Sequence, residues 1–394
     1  MNAWGWYPVG EPSRGHVLIA GVSTRALAIS AAKAGYAVTA VDGFGDQDLR
    51  LAAEVVVEPT RPGKTFNALE AAIRAEKIPA ALAAYTSNFE NYPAAVARLS
   101  RGRKLLGNPP PVLRRVRNPL ELSRALRRHR VPCPSTRASA PDQNPHHRWL
   151  LKPRRSGGGH GVRTWRPGTQ VPRGMYLQQY IRGTPGSIIL AANGRTAVIL
   201  GLSRQLTGIT ELGARGFQYC GSLLAGDEAT LFLRQAELLH QATALATIIT
   251  REFGLIGVNG IDFIARGGVL YPIEVNPRFS ASMELVERAT GLSVFGIHAA
   301  ACDRRLPSPK PAGRLIHGKA IVFARRSITI RDSNLGNERE SLADLPHPGE
   351  HIERGRPICT VLAQAATLNG CRDELFRRAA RVYRSVSAPI RRAS

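Results

Sequence analysis

The residues best placed to do chemistry lie between Gly257 and Arg278. They form the run Gly257-Val258-Asn259-Gly260-Ile261-Asp262-Phe263-Ile264-Ala265, a turn at Arg266-Gly267-Gly268, and the run Val269-Leu270-Tyr271-Pro272-Ile273-Glu274-Val275-Asn276-Pro277-Arg278. Side chains alternate along a strand, so Glu274 and Asn276 share a face. Folding about Gly267-Gly268 sets Asp262 roughly opposite Glu274 and brings two carboxylates and an amide oxygen toward one point. Carboxylates that close repel unless a cation lies between them, and hard oxygen ligands suit Mg2+ or Mn2+. Arg278 then stands where it would hold a substrate carboxylate or a developing phosphate charge. The competing reading is a hairpin whose polar face is merely solvated. With only 29 acidic residues in the whole chain, two carboxylates set face to face favour the metal.

A second constellation is Leu150-Leu151-Lys152-Pro153-Arg154-Arg155-Ser156-Gly157-Gly158-Gly159-His160-Gly161. A strand ending in a lysine opens into a loop rich in glycine, which presents backbone N–H groups at close range above a fixed cation. That suits a polyphosphate. A flexible surface hairpin has the same glycine content; what tips the balance is that Lys152 is one of about seven lysines and sits on an apolar strand. Met175-Tyr176-Leu177-Gln178-Gln179-Tyr180-Ile181-Arg182-Gly183 is a further strand ending in a glycine turn. Ser203-Arg204-Gln205 and Phe217-Gln218-Tyr219-Cys220-Gly221 lie between these segments and the carboxylate hairpin. Both read first as packed strands, with Arg204 as the candidate contact for an anionic substrate.

The elements that must position these groups begin with His16–Gly21 as a buried strand, a helix from Ser23 to Ala34, and a second strand from Ala37 to Asp42. This is a β-α-β opening. Its turn, Gly21-Val22-Ser23-Thr24-Arg25, lacks the glycine spacing that lets a backbone approach a dinucleotide pyrophosphate. The frame is therefore Rossmann-like without a dinucleotide site, and Asp42 reads as a turn or cap former before a ribose ligand. Alternation continues through Val55–Val57, a helix at Ala68–Ala75 and a strand at Ala80–Tyr85. The prolines of Gly107-Asn108-Pro109-Pro110-Pro111 predict a break, followed by a basic helix from Leu120 to His129. Strands dominate from Trp149 to Asp227, where an amphipathic helix is expected to run to about Phe253. The Pro-rich stretch from Leu306 to Pro311 separates a last segment, in which Ala343-Asp344-Leu345-Pro346-His347-Pro348-Gly349 reads as a turn. The divisions are a 1–14 extension, an α/β unit at 15–106, a central unit at 107–305 with a lid at about 135–185, and a β-rich unit with a basic helical tail at 306–394.

Lys and Arg number 54 against 29 Asp and Glu, a net charge of +25, with the excess almost all Arg. Such a surface favours polyanions of any kind, yet no helix-turn-helix, RNP-type or zinc-finger pattern is present, so no specific nucleic-acid partner is expected. The five cysteines are odd in number and widely spaced, which reads as free thiols. No run reaches the roughly 18–20 apolar residues of a membrane span, and the start has no basic and apolar leader; a soluble, cytoplasmic protein with no membrane partner is expected.

Together these motifs resemble the ATP-grasp superfamily over roughly residues 15–300, best at 149–183 and 256–280. The resemblance implies an α/β and α+β architecture: a Rossmann-like pre-ATP-grasp domain, an ATP-grasp fold and a small β-rich C-terminal unit. It assigns ATP phosphates to Lys152, Gly157, Gly158, Gly159 and Gly161, and the adenine hinge to Gln178, Gln179, Tyr180 and Ile181. Asp262, Glu274 and Asn276 fall to magnesium, and Arg278 joins Lys152 as catalytic. Where many members carry a second ATP lysine, this chain has Arg117-Asn118-Pro119: either an arginine substitutes or that contact is missing. The C-terminal segment is similar to predicted ATP-dependent carboligases related to biotin carboxylase, found with tetrahydromethanopterin or methanofuran one-carbon metabolism. The implied activity is ATP- and magnesium-dependent ligation of a small-molecule carboxylate to an amine, or to another nucleophile such as a thiol, through an acylphosphate; related enzymes are often dimers, which makes a homodimer one candidate assembly. The alternative is an ATP-binding scaffold that docks an acidic partner.

Overall fold

The computed structural model describes residues 14–57, 66–140, 148–226, 229–308, 313–331 and 341–387. Most of the 1–14 extension, Asp227 and the end of the basic tail lie outside the described residues.

Short apolar runs alternating with alanine-rich helices build the first sheet. In chain order these are β1 (His16–Gly21), α1 (Arg25–Lys33), β2 (Ala37–Asp42), α2 (Gln47–Arg50), β3 (Glu54–Val57), α3 (Ala68–Glu76), β4 (Leu82–Tyr85), α4 (Pro93–Leu99) and β5 (Lys104–Leu106). The strands are parallel in the order β3-β2-β1-β4-β5. Both faces are covered, one by α1 and the other by α3 and α4, as a parallel sheet requires. Asp42 is wholly buried and accepts from Thr24 N (2.6 Å), Thr24 Oγ1 (2.7 Å), Phe44 N (2.7 Å) and Gly45 N (2.7 Å). Its acceptor capacity is spent on the two turns it caps.

The prolines do not interrupt the helices as expected. Pro110 and Pro111 open α5 (Pro110–Val116), and Pro119 opens α6 (Pro119–Arg128), because first-turn N–H groups have no intrahelical partner for proline to remove. A four-stranded sheet follows, made of β6 (Thr136–Arg137), β7 (Trp149–Pro153), β8 (Arg163–Thr164) and β9 (Met175–Gln179) in the order β6-β9-β7-β8. It has a small core of its own around Trp149, Leu151, Trp165 and Leu177.

The remaining elements are β10 (Thr184–Asn193), β11 (Ala197–Thr207), β12 (Tyr219–Ala225), α7 (Gln235–Phe253), β13 (Ile256–Arg266), β14 (Val269–Asn276), α8 (Met283–Thr290), α9 (Val294–Cys302), β15 (Ile316–Phe323), β16 (Ile328–Thr329), β17 (Leu342–Ala343), β18 (His351–Ile352), β19 (Pro357–Ala365) and α10 (Leu368–Ser387). An eight-stranded sheet runs β14-β13-β10-β11-β12-β15-β19-β17, so the C-terminal strands extend the central sheet. Helix α7 begins later than its sequence pattern predicts: Arg234 sits in the left-handed region at φ 56°, and the Gln235 side chain accepts from Leu231 N at 2.7 Å.

Residue parity sorts the central sheet. Ile188, Leu190, Ile261 and Phe263 share a core with α7 and α10, whereas Ile189, Ala191, Val258 and Leu224 pack with α1, α8 and α9. The first unit is tied to this second face by Asn108, which accepts from Ile256 N (2.9 Å) and donates to Asn259 Oδ1 (2.7 Å) and Pro277 O (3.0 Å). A buried charge group closes the same side. Arg25 donates to Glu284 Oε1 (2.8 Å) and Asp344 Oδ1 (2.6 Å), and Lys319 also pairs with Glu284. The Asp344–Leu345 turn docks on α2, with both backbone N–H groups bonded to Asp48 at 2.9 Å.

Burial works against the charged form of Glu284, but Arg25 and Lys319 outweigh it and hold the carboxyl far below its ordinary value of 4.5. A depressed carboxylate contributes stability above the unfolded-state value and loses it as pH falls through the native one. Glu284→Gln should therefore lose about 3 kcal/mol at neutral pH. Denaturant titrations across pH should show that gap shrinking below pH 4.5.

Candidate active site

The β13–β14 hairpin places Asp262 and Glu274 as direct cross-strand partners and Asn276 opposite Gly260. Gly260 leaves room for the amide, so Asn276 Nδ2 reaches Asp262 Oδ2 at 3.0 Å while Gln205 Nε2 bonds Asp262 Oδ1 at 3.0 Å. Enclosure and the facing Glu274 charge push the Asp262 carboxyl up to about 6, against the lowering effects of Ser187, Asn276 and Arg278. Glu274 is shifted the other way: burial opposes its charge, but Arg117 and Lys152 outweigh it and hold the carboxyl below its usual range.

Lys152 enters from β7. It is 8% exposed, lies opposite Tyr176 in the β7–β9 register, stands 5.8 Å from that ring centre and donates to Gln178 Oε1 at 3.0 Å. Burial lowers its pKa, yet Tyr176, Glu274 and Asp262 together raise it above the ordinary value, so the lysine is a fixed cation. The glycine loop leaves β7 directly beyond it. Gly158, Gly159 and Gly161 have φ of 60°, 76° and 74°, a region glycine enters without strain. Gly159 is also held by contact: a Cβ there would lie 1.9 Å from Phe217 O, and Tyr219 N donates to Gly158 O at 2.9 Å. The segment Phe217–Tyr219 is thus the bed on which the loop rests.

Three further residues join the group: Arg117, which the resemblance offers as a possible substitute for a lysine, and Glu90 and Gln205, to which it assigns no role. Arg117, at the end of α5, pairs with Glu274, donates to Val275 O (2.9 Å) and Asn91 Oδ1 (2.9 Å), and reaches Ser156 O at the root of the glycine loop (3.0 Å). Arg117 therefore lies among these groups. Glu90, 1% exposed on the turn Phe89–Asn91 after β4, lies 2.8 Å from Arg278 Nη2. Gln205 holds Asp262 from a strand two places away. For Glu90 and Gln205 the only sequence signal was a polar residue inside an otherwise apolar or capping segment.

The other expected residues divide. Gln178 is spent on Lys152 and Ile273 O (3.2 Å), and Gln179 on Ser135 N (3.3 Å). Tyr180 and Ile181 lie in the connection from the four-stranded sheet to the eight-stranded one, where Tyr180 stacks edge-on against Phe217 and beneath Arg148. Arg204 does not join the group. It alternates with Gln205, shares parity with Leu202 and Leu206 on the α7/α10 side, and has Arg372 of α10 as its charged neighbour. The adjacent residue is the one facing the carboxylates.

The donor set fits a hard divalent cation: two opposed carboxylates and an amide, with the repulsion that raises Asp262 available to be relieved. Among the described residues no group of three or more His, Cys, Asp or Glu gathers to hold a metal. A cation here would complete its shell with water and phosphate oxygens, as magnesium commonly does.

Residues 116–282 match the sequence model of the ATP-grasp domain. The architecture is that of the ATP-grasp fold. The N5-carboxyaminoimidazole ribonucleotide synthetase of Thermus thermophilus superposes with a TM-score of 0.65 at 19% identity, covering 95% of this chain and 99% of that one. The biotin carboxylase domain of Hydrogenobacter thermophilus 2-oxoglutarate carboxylase, in complex with MgADP, ADP and bicarbonate, superposes with a TM-score of 0.67 at 16% identity, covering 93% and 89%. By sequence, an uncharacterized protein of Methanocaldococcus jannaschii is 28% identical over 116 residues, 29% of this chain and 28% of that relative's length. The chain thus spans less than a third of that curated relative. Among the described residues no helix is long and apolar enough to cross a membrane.

The loop contact carries a test. Gly159→Ala cannot seat against Phe217 and should speed proteolytic nicking within 154–161 by about tenfold, an opening cost of about 1.4 kcal/mol. Gly157→Ala, with nothing within 4 Å of the added methyl, should leave the nicking rate as it is.

Proposed function

We propose that this protein is an ATP- and magnesium-dependent ligase that joins a carboxylate to an amine through an acylphosphate. The observation that carries the reading is the convergence on one face of two opposed carboxylates with Lys152, Arg117 and Arg278, a set suited to a triphosphate and its cation. The glycine loop would lie over the phosphates with its backbone N–H groups, Lys152 beneath them, and Tyr180-Ile181 at the nucleobase end. Asp262, Glu274 and Asn276 would hold magnesium, which when bound supplies charge neutralisation of the phosphate oxygens.

The substrate carboxylate oxygen attacks the γ-phosphorus as the bond to ADP breaks. The amine then attacks the acyl carbon, the C–N bond forms, inorganic phosphate leaves and the amine proton passes to solvent. Arg278, held by Glu90, faces the charge that builds on the transferred group. Positioning and charge stabilisation would carry the rate enhancement. Similarity of the C-terminal segment to carboligases of one-carbon metabolism supports a narrower reading, in which the product is a precursor of a one-carbon carrier such as tetrahydromethanopterin or methanofuran. Arg117 standing in the lysine position favours the ligase over a nucleotide-binding scaffold.

The deciding assay is ADP release from Mg–ATP, with and without a pool of glutamate, tyramine-like amines and pterin or furan precursors. A ligase releases ADP only with substrate; a scaffold releases none under either condition. Glu274→Gln should drop that release by at least about 100-fold with an unchanged circular-dichroism spectrum, and full activity in the variant would remove the metal assignment. Arg117→Lys should keep more activity than Arg117→Ala, since it retains the charge but not the fork that reaches Ser156 and Asn91 together.

A further inference from the structure

The face of the central sheet that carries Asp262 does not turn apolar where the proposed site ends. Gln205 on β11 lies opposite Ser222 on β12, and Ser222 opposite Lys319 on β15, so an amide, a hydroxyl and an ammonium form one row across three strands. Gln205 begins the row at its 3.0 Å bond to Asp262, and Tyr219 OH lies 2.9 Å from Ser222 Oγ. Ser222 is fully buried and Lys319 is 4% exposed. Polar groups in such positions are unfavourable unless something pairs with them.

At the far end Lys319 belongs to the charge group of Arg25, Glu284, Asp344 and Asp48. Lys319 carries three N–H groups. Among the described residues the carboxylate that accepts from it is Glu284, which also takes two bonds from Arg25. Two residues back along β15, on the same face, His317 is 7% exposed and its Nδ1 has no partner among the described residues. Burial and the nearby Arg288 hold its pKa below the ordinary value, so the ring is neutral and can present one N–H. The Lys319 N–H groups beyond the one that Glu284 takes, with the unpartnered His317 Nδ1 side, suit a further oxygen acceptor. Two strand spacings separate Lys319 from Gln205, about 10 Å.

We propose that Lys319, with Ser222 and His317, anchors a second anionic group of the carboxylate substrate, on the order of 10 Å from Gln205, the end of the row at which the reacting carboxyl would lie between Gln205 and its partner Asp262. This rests on the ligase reading and adds a substrate class to it: an elongated molecule with a carboxylate at the reacting end and a carboxylate or phosphate at the other. The anchor comes from a C-terminal strand, so the central and C-terminal segments would read the two ends of one molecule.

The test uses the full chain with a non-hydrolysable Mg–ATP analogue and the probes succinate, adipate, suberate, sebacate and dodecanedioate, read by thermal shift. The expected result is stabilisation that peaks at suberate or sebacate, whose carboxylates stand roughly that far apart when extended. Lys319→Met should weaken the peak at least about tenfold in apparent affinity, and Lys319→Arg should restore most of it. Lys319→Gln, which keeps an N–H for Glu284, serves if the Met variant does not fold. A flat response to chain length, no response to any probe, or the same peak in a folded Lys319→Met or Lys319→Gln protein would overturn the proposal. Stabilisation by the Mg–ATP analogue alone is recorded on each sample: its absence in the wild type defeats the ligase reading itself, whereas its presence without a length preference defeats only the anchor. Replacing one carboxylate of the best probe by phosphate distinguishes the two kinds of distal group.

Discussion

Two carboxylates forced to face each other by a hairpin register are the constraint to which the surrounding structure answers. Asp262 and Glu274 are cross-strand partners, so their repulsion cannot be relaxed by a rotamer change alone. Cations converge on the pair from three separate elements: Lys152 from β7, Arg117 from the end of α5, and Arg278 just past β14. The shifts of the two acids record an unequal division of that help. Glu274 has Arg117 in direct contact and stays ionised, whereas Asp262 is supported by amides and by the more distant Arg278, and rises to about 6. An added divalent ion would therefore gain most at the Asp262 side, where least compensation exists.

An arginine at position 117 makes contacts that a lysine there could not make together. A lysine would bring three donors on a flexible stem; the planar fork of Arg117 spans Glu274, Val275 O, Asn91 and Ser156 O at once. The root of the glycine loop, the carboxylate hairpin and the first sheet are joined through one side chain. The same fork logic recurs at Arg25, which bonds both oxygens of Glu284 and one of Asp344. Part of the Arg excess is thus interior, joining segments far apart in sequence, and only the remainder is a solvated basic surface.

What was legible in the sequence was whatever a local repeat encodes. Strand alternation about Gly267-Gly268 was enough to set Asp262 against Glu274, and the lysine before a glycine run was enough to mark Lys152 and its loop. Parity also explains the failure at Arg204, since a slip of one residue along β11 exchanges the carboxylate face for the α10 face. Glu90 had no legible role, Arg117 had one only through the family resemblance, and Lys319 had none. They lie 184, 157 and 45 positions from Glu274, and only the order β14-β13-β10-β11-β12-β15 and the docking of the first sheet bring them together. The prolines misled for a simpler reason: a residue that breaks a helix in its interior starts one at its first turn.

The arrangement also bears on which face of the central sheet carries the opposed carboxylates. The other face packs against α7 and α10 around an apolar core and carries Arg204, whereas Asp262, Glu274 and Asn276 lie on the side shared with the first unit. There the turn Phe89–Asn91, at the carboxyl end of β4, sends Glu90 to Arg278 and Asn91 to Arg117. Carboxyl ends of parallel strands are where such sheets present ligand-binding loops. A molecule bound against that turn would bear directly on the two arginines that flank the opposed carboxylates. The orientation of the first sheet on the central one, held by the Asn108 and Arg25 contacts, is therefore a condition of the electrostatics around the opposed carboxylates.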